Sequence, residues 1–351
     1  MKRRSRKPVA PPPPADRMQA LLEEHLVWMQ TQNFSEDTVT TRRSCIGYFL
    51  EWSRERGIDD PKEVTRPVLE RYQRWLYQHR KKNGEPLTFR TQNARLRALK
   101  GFFRWLTRQN YLLSNPASEL LLPRLENRLP KYVLSAREAE LVLQAAGENV
   151  RDRAILETFY ATGMRRMELA NLKLYDIDAE RGTVMIRLGK GKKDRHIPIS
   201  ERALQWVAKY IREERGALLT GAADDGTVFL NNLGEPYVRY QLTALVRVYM
   251  EQSGTGKMGG CHLFRHTLAT LMLENGADIR VIQEMLGHAK LTTTELYARV
   301  SINLLRQVYA ATHPAAGGEA SARAVDEAAR AELLASLAAE DEGEEDDDSS
   351  E

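Results

Sequence analysis

Four short segments between residues 161 and 297 concentrate side chains that carry positive charge or exchange protons. They are Ala161–Leu169 with Arg165 and Glu168, Gly189–Lys193 with Lys190, His262–His266 with Arg265, and Leu286–Tyr297 with His288. Taken as one site they suit a phosphodiester, because arginines neutralise the charge of a pentacoordinate phosphorane while histidines and a lysine move protons. Tyr297 would then be the nucleophile. Its phenol, with an ordinary pKa of about 10, needs a base and positive charge nearby.

Each segment also has a purely structural interpretation. Arg165 follows a helix-ending glycine, where a cation is favourable, and Lys190 lies in a hairpin turn, where lysine is ordinary. Cys261 and the histidines suggest a zinc site, but no glutamate lies between His262 and His266 and no second paired motif follows, so we predict no metal. Gly189-Lys190-Gly191 is too short for a P-loop.

The order Arg, Lys, HxxR, His, Tyr, in these local contexts, resembles the tyrosine recombinase (phage integrase-type) family. ATGMRRMEL is similar to the family's first motif, RLGKGKKDRHIPI to its β-hairpin, HLFRHTLAT to its HxxR box and LGHAKLTTTELYARV to its last box. The resemblance covers about residues 17–314. It assigns catalytic roles to Arg165, Lys190, His262, Arg265, His288 and the nucleophile Tyr297, with Glu168 as the acidic residue that helps order the site.

Within that family the chain is most similar to the simple Xer-like members, which have one helical DNA-binding domain before the catalytic domain. The resemblance implies a clamp on duplex DNA with paired inverted-repeat half-sites. It also implies a tetramer of identical or paralogous protomers, with a host regulatory protein as a further possible partner. Tyr297 would form a 3′-phosphotyrosine that a 5′-hydroxyl resolves, so neither ATP nor a metal nor another cofactor is expected.

Two other functions remain open at this stage. A type IB topoisomerase uses similar chemistry as a monomer to relax supercoils, without a defined pair of sites. A regulator that kept the fold and lost the activity would lack a catalytic position, and none is lost here. Chromosome, plasmid and mobile-element roles are all compatible with these residues.

The elements that position these residues form a fold that is mostly α with a small β-sheet. A capping-box signature at Ser135 opens the catalytic domain, 135–314. The alternating segments Thr183–Leu188 and Arg195–Ile199, joined by a turn, predict a strand pair. Helices are expected at about 136–146, 149–162, 201–215, 239–252, 262–275, 279–286, 293–297 and 301–312. The last of these resembles the family's C-terminal exchange helix.

Residues 17–112 have helical periodicity and predict a helical (SAM-like) core-binding domain with helices near 17–32, 36–56, 63–82 and 88–109. The fourth helix separates an apolar arc from a basic one. From Arg80 to Arg108 there are nine basic residues against Glu85 alone. A solvated face usually mixes signs, so we expect this basic arc to contact DNA phosphates. Its members are Arg90, Arg97, Lys100, Arg104 and Arg108.

The charge of the chain is strongly asymmetric. The whole chain has a net charge of +4, but residues 319–351 hold thirteen acidic and two basic residues, which leaves +15 on residues 1–318. A body that basic points to nucleic acid as its partner. The acidic block is expected either to keep the chain in solution or to compete with DNA for the basic body.

The segments outside the two domains differ in composition. Residues 1–16 predict a disordered basic and proline-rich arm rather than a signal peptide, and 113–134, with three prolines, an interdomain linker. Residues 315–351 predict a largely disordered tail with one possible helix near 323–339. The chain has two cysteines without CxxC spacing and no long apolar run, so we expect a reducing bacterial cytosol and association with the nucleoid.

Overall fold

A computed structural model of the chain describes residues 14–125, 132–187, 194–219, 224–287, 302–314, 331 and 333–335. The chain divides into two compact units, Met1–Glu126 and Asn127–Glu351. The predicted arm 1–16 falls almost entirely outside the described residues. Among the residues that are described, no helix is long and apolar enough to cross a bilayer.

The first unit contains the four predicted helices: α1 Pro14–Thr31, α2 Glu36–Arg54, α3 Arg66–Gln78 and α4 Phe89–Arg108. The predicted third helix, 63–82, is shorter in the structure. A separate 3-10 turn, Pro61–Glu63, precedes it, and Pro67 lies in the first turn of α3. Proline fits that position because the first turn has no intrahelical partner for its missing N–H, which explains why the helix starts here.

The helix α4 is the central element of this unit. Its apolar arc, including Leu96, Leu99, Phe102 and Phe103, is completely buried. The rings of Phe49 and Phe103 meet edge-on at a centroid distance of 6.0 Å. Because the apolar arc is buried in this core, the opposite side of α4 faces outward.

The segment 113–134, predicted to be an interdomain linker, packs on the first unit over part of its length. Ala117 and Leu120 are buried in the core of the first unit. The Nδ2 of Asn93 donates to the carbonyl of Pro123 at 2.9 Å, so the segment is fastened along α4. Irregular segments dock in this way when helix side chains satisfy their carbonyls.

The second unit is mostly helical. Its helices are α5 Ala136–Ala145, α6 Val150–Thr162, α7 Arg166–Ala170, α8 Glu201–Tyr210, α9 Gly216–Leu218, α10 Arg239–Gln252, α11 Cys261–Glu274, α12 Ile279–Leu286 and α13 Ile302–Thr312. A π-helical turn, Ile211–Arg215, joins α8 to α9. The capping box predicted at Ser135 is present at the start of α5. The predicted helix 293–297 lies outside the described residues.

The second unit has one three-stranded antiparallel sheet, with strands β1 Ile177–Asp178, β2 Thr183–Ile186 and β3 Arg195–Pro198 in that order. The predicted pair is β2 and β3, which pair Ile186 with Arg195 at the end nearest the intervening loop. The short strand β1 was not predicted, because two residues are too few to show an alternating pattern.

The helix α13 packs on its own catalytic domain. Tyr309 is 3 % exposed and belongs to the core of this unit, and Val308 is half-buried against it. His313 is fully buried, with its Nε2 2.9 Å from the carbonyl oxygen of Tyr160. Burial lowers the pKa of His313 to about 4, so it is neutral at pH 7. The end of the predicted exchange helix is therefore anchored within its own subunit.

The tail is not wholly detached from the catalytic domain. Residues 331 and 333–335 are helical, within the range of the helix predicted near 323–339. Leu333 is fully buried and Leu334 is 7 % exposed, both in the core of the second unit. These two leucines lie in the helix predicted near 323–339, within a tail whose composition otherwise predicts disorder.

Candidate active site

Four of the predicted site residues are described, namely Arg165, Glu168, His262 and Arg265, and all lie in the second unit. The other three, Lys190, His288 and Tyr297, lie outside the described residues. The elements that flank them are described. Strands β2 and β3 bracket Lys190, and α12 ends immediately before His288.

Arg165 lies in the turn between α6 and α7. Gly163 ends α6 in the left-handed conformation, with φ +58°, and Arg165 occupies the position just before α7 begins. Its backbone N–H donates to Oε2 of Glu168 at 2.9 Å, and its Nη1 donates to Oε1 of the same carboxylate at 3.0 Å. The local sequence thus fixes the arginine by a capping contact from three residues downstream.

Arg265 is 1 % exposed and joins the ends of two helices. Its Nη1 donates to the carbonyl of Gly163 at 2.9 Å, and its Nη2 donates to the carbonyl of Leu286 at 2.7 Å. The Nη2 of Arg165 donates to the next carbonyl, that of Gly287, at 3.3 Å. The predicted pair of arginines therefore converges on the last turn of α12, where helix carbonyls favour cations.

Two glycines make this convergence possible. A Cβ on Gly163 would lie 3.0 Å from Cδ2 of Leu286, so the ends of α6 and α12 approach closely at this point. Gly287 has φ +70° and ends α12 in the left-handed conformation. Any other residue would be strained at either position, and the strain would fall on the turn that leads into Arg165 or on the turn that leads into His288.

Arg195, a residue that the sequence analysis did not single out, completes the cluster. Its Nη1 and Nη2 donate to Oε1 and Oε2 of Glu168 at 2.9 and 2.8 Å. The alternation of residues along β3 indicates that Arg195 points inward, because it shares a face with buried Ile197 while His196 is exposed. The signal was obscured because this arginine stands among several cations of one hairpin.

The electrostatics of the cluster favour an anion. Burial alone would raise the pKa of Glu168, but hydrogen bonds and charge from Arg195, then the charges of Arg165 and Arg265, lower it to about 2. The carboxylate is thus ionised at neutral pH. The three guanidiniums and the one carboxylate together have a net charge of +2. Because these side chains are buried, solvent screens that charge only weakly.

Replacing Glu168 by glutamine should destabilise the catalytic domain on the order of 3 kcal/mol at pH 7, because a pKa lowered from 4.5 to about 2 is worth about 1.4 kcal/mol for each unit. A carboxyl whose pKa is lower in the folded than in the unfolded chain stabilises the fold at every pH above its unfolded pKa. The difference between wild type and E168Q should therefore be constant above about pH 5 and shrink as the pH falls from 4.5 towards 2. Urea unfolding across this range measures it.

Glu213→Gln is the control for this experiment. Glu213 pairs with Arg212 at the surface, with 41 % of its side chain exposed, so its loss should cost less than about 1 kcal/mol. An E168Q protein as stable at pH 7 as E213Q would contradict the assigned role of the carboxylate.

His262 lies in the first turn of α11, half-buried and three residues before Arg265. Its neighbours on the same helix, Cys261 and His266, are buried at 2 % exposure. The helix therefore carries His262 and Arg265 on one side, as the HxxR spacing predicts.

Among the described residues no three histidine, cysteine or acidic side chains form a metal-binding group.

The basic arc of α4 is only partly available to a partner. Arg97, Arg104 and Arg108 are exposed and Arg90 is half-buried. Lys100 differs, because its Nζ donates to the carbonyls of Ser118 at 3.1 Å and Leu120 at 2.7 Å. The ammonium group of Lys100 fastens the segment after α4, so it is less available than the exposed arginines for the predicted contact with DNA.

Comparisons with known proteins agree with this geometry. Residues 132–303 match the model of the phage integrase family. The chain is 48% identical over 298 residues to tyrosine recombinase XerC 2 of Ralstonia nicotianae, covering 84% of this chain and 85% of that protein. It is 33% identical to tyrosine recombinase XerD of Pseudomonas putida, over 82% of this chain and 94% of that one.

The fold also matches a solved structure, XerH site-specific recombinase bound to its difH substrate in a pre-cleavage complex. The two share 23% identity with a TM-score of 0.59, over 83% of this chain and 81% of the other. The sequence relatives, which align along most of their length, fix the family. The chain belongs to the phage integrase family and is an Xer-type tyrosine recombinase, an enzyme that cuts and rejoins DNA.

Proposed function

We propose that this chain recombines two specific DNA sites, using Arg165, Lys190, His262, Arg265, His288 and Tyr297 as its catalytic residues. One observation carries the proposal. Arg165 and Arg265 are held by the carbonyls of Gly287 and Leu286, in the turn that leads directly into His288. Nine residues further along is Tyr297. The carbonyls that hold the two arginines and the proposed nucleophile therefore belong to one continuous piece of chain.

In the proposed reaction the phenolic oxygen of Tyr297 attacks the scissile phosphorus and the P–O5′ bond breaks. The phenol proton passes to a histidine, and Lys190 protonates the departing 5′ oxygen. Arg165 and Arg265 stabilise the extra charge of the phosphorane. The product is a 3′-phosphotyrosine and a free 5′-hydroxyl. Attack by a 5′-hydroxyl of the partner strand reverses these steps without any external energy source.

We further propose that four protomers assemble on two sites, each with inverted half-sites, in the bacterial cytosol. The family resemblance supports this arrangement. The anchored C-terminus limits how it can be achieved, because Tyr309 and His313 are buried in their own catalytic domain. An exchanged contact would have to use residues of α13 other than these two.

Covalent capture on fragments of the host genome tests the proposal. The chain is incubated with sheared DNA, stopped with SDS, and the covalently bound fragments are sequenced. We expect one enriched sequence with inverted half-sites, attached to the protein through its 3′ end. Covalent attachment at scattered sequences together with relaxation of plasmids lacking that site would indicate a topoisomerase. A complete absence of covalent complexes would indicate a DNA-binding regulator.

We also propose that the exposed arginines of α4 contact DNA phosphates. Replacing Arg97 and Arg104 together by alanine should weaken DNA binding and reduce the slope of log K against log salt by about 2, because each phosphate contact releases about 0.9 counterions. Titrations from low to moderate salt measure both quantities. An unchanged slope would mean that these arginines face solvent in the complex.

Lys100→Ala is the matched control on the same helix. Its ammonium group is engaged by the carbonyls of Ser118 and Leu120. The variant should lower the stability of the first unit by about 1 kcal/mol while leaving the salt slope unchanged.

A further inference from the structure

Arg195 occupies a junction in the second unit. It is the first residue of β3, it pairs with Ile186 of β2, and it lies five positions after Lys190 in the same hairpin. Its side chain is only 12 % exposed. Burial of an arginine costs free energy unless its charge is paired and its N–H groups are hydrogen-bonded. The contacts of Arg195 therefore indicate what its burial achieves.

The contacts of Arg195 reach two other parts of the site. Both terminal nitrogens bind the carboxylate of Glu168, and its Nε donates to the carbonyl of Met285 at 3.2 Å. The same carboxylate binds the backbone and the guanidinium of Arg165. Glu168 is therefore bound by both arginines, and each of its carboxylate oxygens accepts from Arg165 and from Arg195.

Gly287 provides an independent observation. A Cβ at this position would lie 2.9 Å from both Cζ and Nε of Arg195, which is closer than real Cβ contacts allow. The turn that ends α12 thus leaves space that the guanidinium fills. The same turn supplies the Gly287 carbonyl that accepts from Arg165. Arg195 therefore borders both groups that hold Arg165.

We propose that Arg195 is a positioning residue that fixes Arg165 for catalysis through Glu168. A carboxylate held by one arginine alone can rotate about its side-chain bonds, and Arg165 would move with it. A bidentate contact from the rigid end of a strand removes that freedom. A displacement of about 1 Å at a catalytic group can cost about 100-fold in rate. The proposal rests on the role of Arg165 proposed above.

The test uses the full chain and a nicked duplex that carries the captured site. Arg195→Gln should bind this DNA within about threefold of wild type but cleave it about 10- to 100-fold more slowly, because only alignment is lost. A second substrate carries a methylphosphonate at the scissile position, which removes the negative charge that Arg165 opposes. On that substrate the deficit of R195Q should fall to about threefold or less.

A third substrate separates this role from an effect on the lysine of the hairpin. A 5′-bridging phosphorothiolate has a sulfur leaving group that departs without protonation, so it relieves only a loss of Lys190. The deficit of R195Q should persist on it. Relief by the phosphorothiolate alone, an equal deficit on all three substrates, or no deficit at all would each overturn the proposal.

The matched control is Arg187→Gln, in the same hairpin beside β2. Arg187 binds Asp176 at 2.5 Å and has 47 % of its side chain exposed, so this variant should cleave like wild type. If R195Q does not fold, Arg195→Lys retains the charge and loses the bidentate contact. It should give the same pattern across the three substrates, and wild-type cleavage by a folded R195K would also overturn the proposal.

Arg165→Ala separates a test of the proposed role of Arg165 from a test of the proposed role of Arg195. Failure of the methylphosphonate to rescue R165A would contradict the proposed role of Arg165 itself. Rescue of R165A without rescue of R195Q would leave that role intact and contradict only the assignment of Arg195.

Discussion

Tyr297→Phe should form no covalent adduct with DNA while binding the captured site within about twofold of wild type. The substitution removes one oxygen and leaves every basic contact in place, so the electrostatic part of binding is unchanged. Without the phenolic oxygen the phosphorus has no protein nucleophile, and the expected loss is complete rather than partial. A nicked suicide duplex, followed by SDS electrophoresis, measures the adduct.

Tyr309→Phe is the control for that experiment, because it removes the same atom from a tyrosine twelve residues further along the chain. Tyr309 is 3 % exposed, and burial raises the pKa of its phenol above the ordinary value. This tyrosine cannot supply a phenolate, so Y309F should retain full adduct formation. An adduct in Y297F that disappears in the Y297F/Y309F double variant would contradict the assignment of the nucleophile.

The proximity of some predicted site residues follows from the sequence because they lie in short local motifs. Arg165 and Glu168 are three residues apart, and one helical turn brings them together. His262 and Arg265 share a helix in the same way. The mostly helical fold with its small sheet was also confirmed, since periodicity and a hairpin turn are local signals.

Contacts between distant parts of the chain could not be predicted. Arg195 meets Glu168 across 27 positions, and only the tertiary fold of the second unit brings them together. Lys100 gives a second example. Its place on the basic arc was right, but the arc alone cannot reveal that the chain after α4 folds back to offer carbonyls to one of its members.

The packing of the linker and tail segments could not be predicted for a related reason. Prolines and low complexity predict the absence of regular structure, which is a different property from the absence of packing. Leu120 and Leu333 are each buried within segments of that composition. A single apolar side chain that is buried in a core is enough to dock such a segment. An average of hydropathy over a window of the sequence does not detect it.

Replacing Arg265 by lysine should slow single-turnover cleavage by about 10³-fold, the second largest effect that we expect. Lysine keeps the charge but has a compact ammonium group on a flexible stem, in place of a planar fork. It cannot donate at once to the Gly163 carbonyl at 2.9 Å, the Leu286 carbonyl at 2.7 Å and a phosphate oxygen. The charge would survive, but it would no longer be fixed opposite the phosphorane.

Loss of the fork should also destabilise the fold, because two buried carbonyls at helix ends lose a partner, at a cost of about 1–3 kcal/mol each. Arg202→Lys separates the two effects. Arg202 also bridges two groups, Glu157 at 2.9 Å and Glu140 at 2.7 Å, but it takes no part in the arginine cluster. Both variants should unfold at lower urea, whereas only R265K should cleave slowly per folded molecule. Equal cleavage by the two variants would reduce Arg265 to a brace between helix ends.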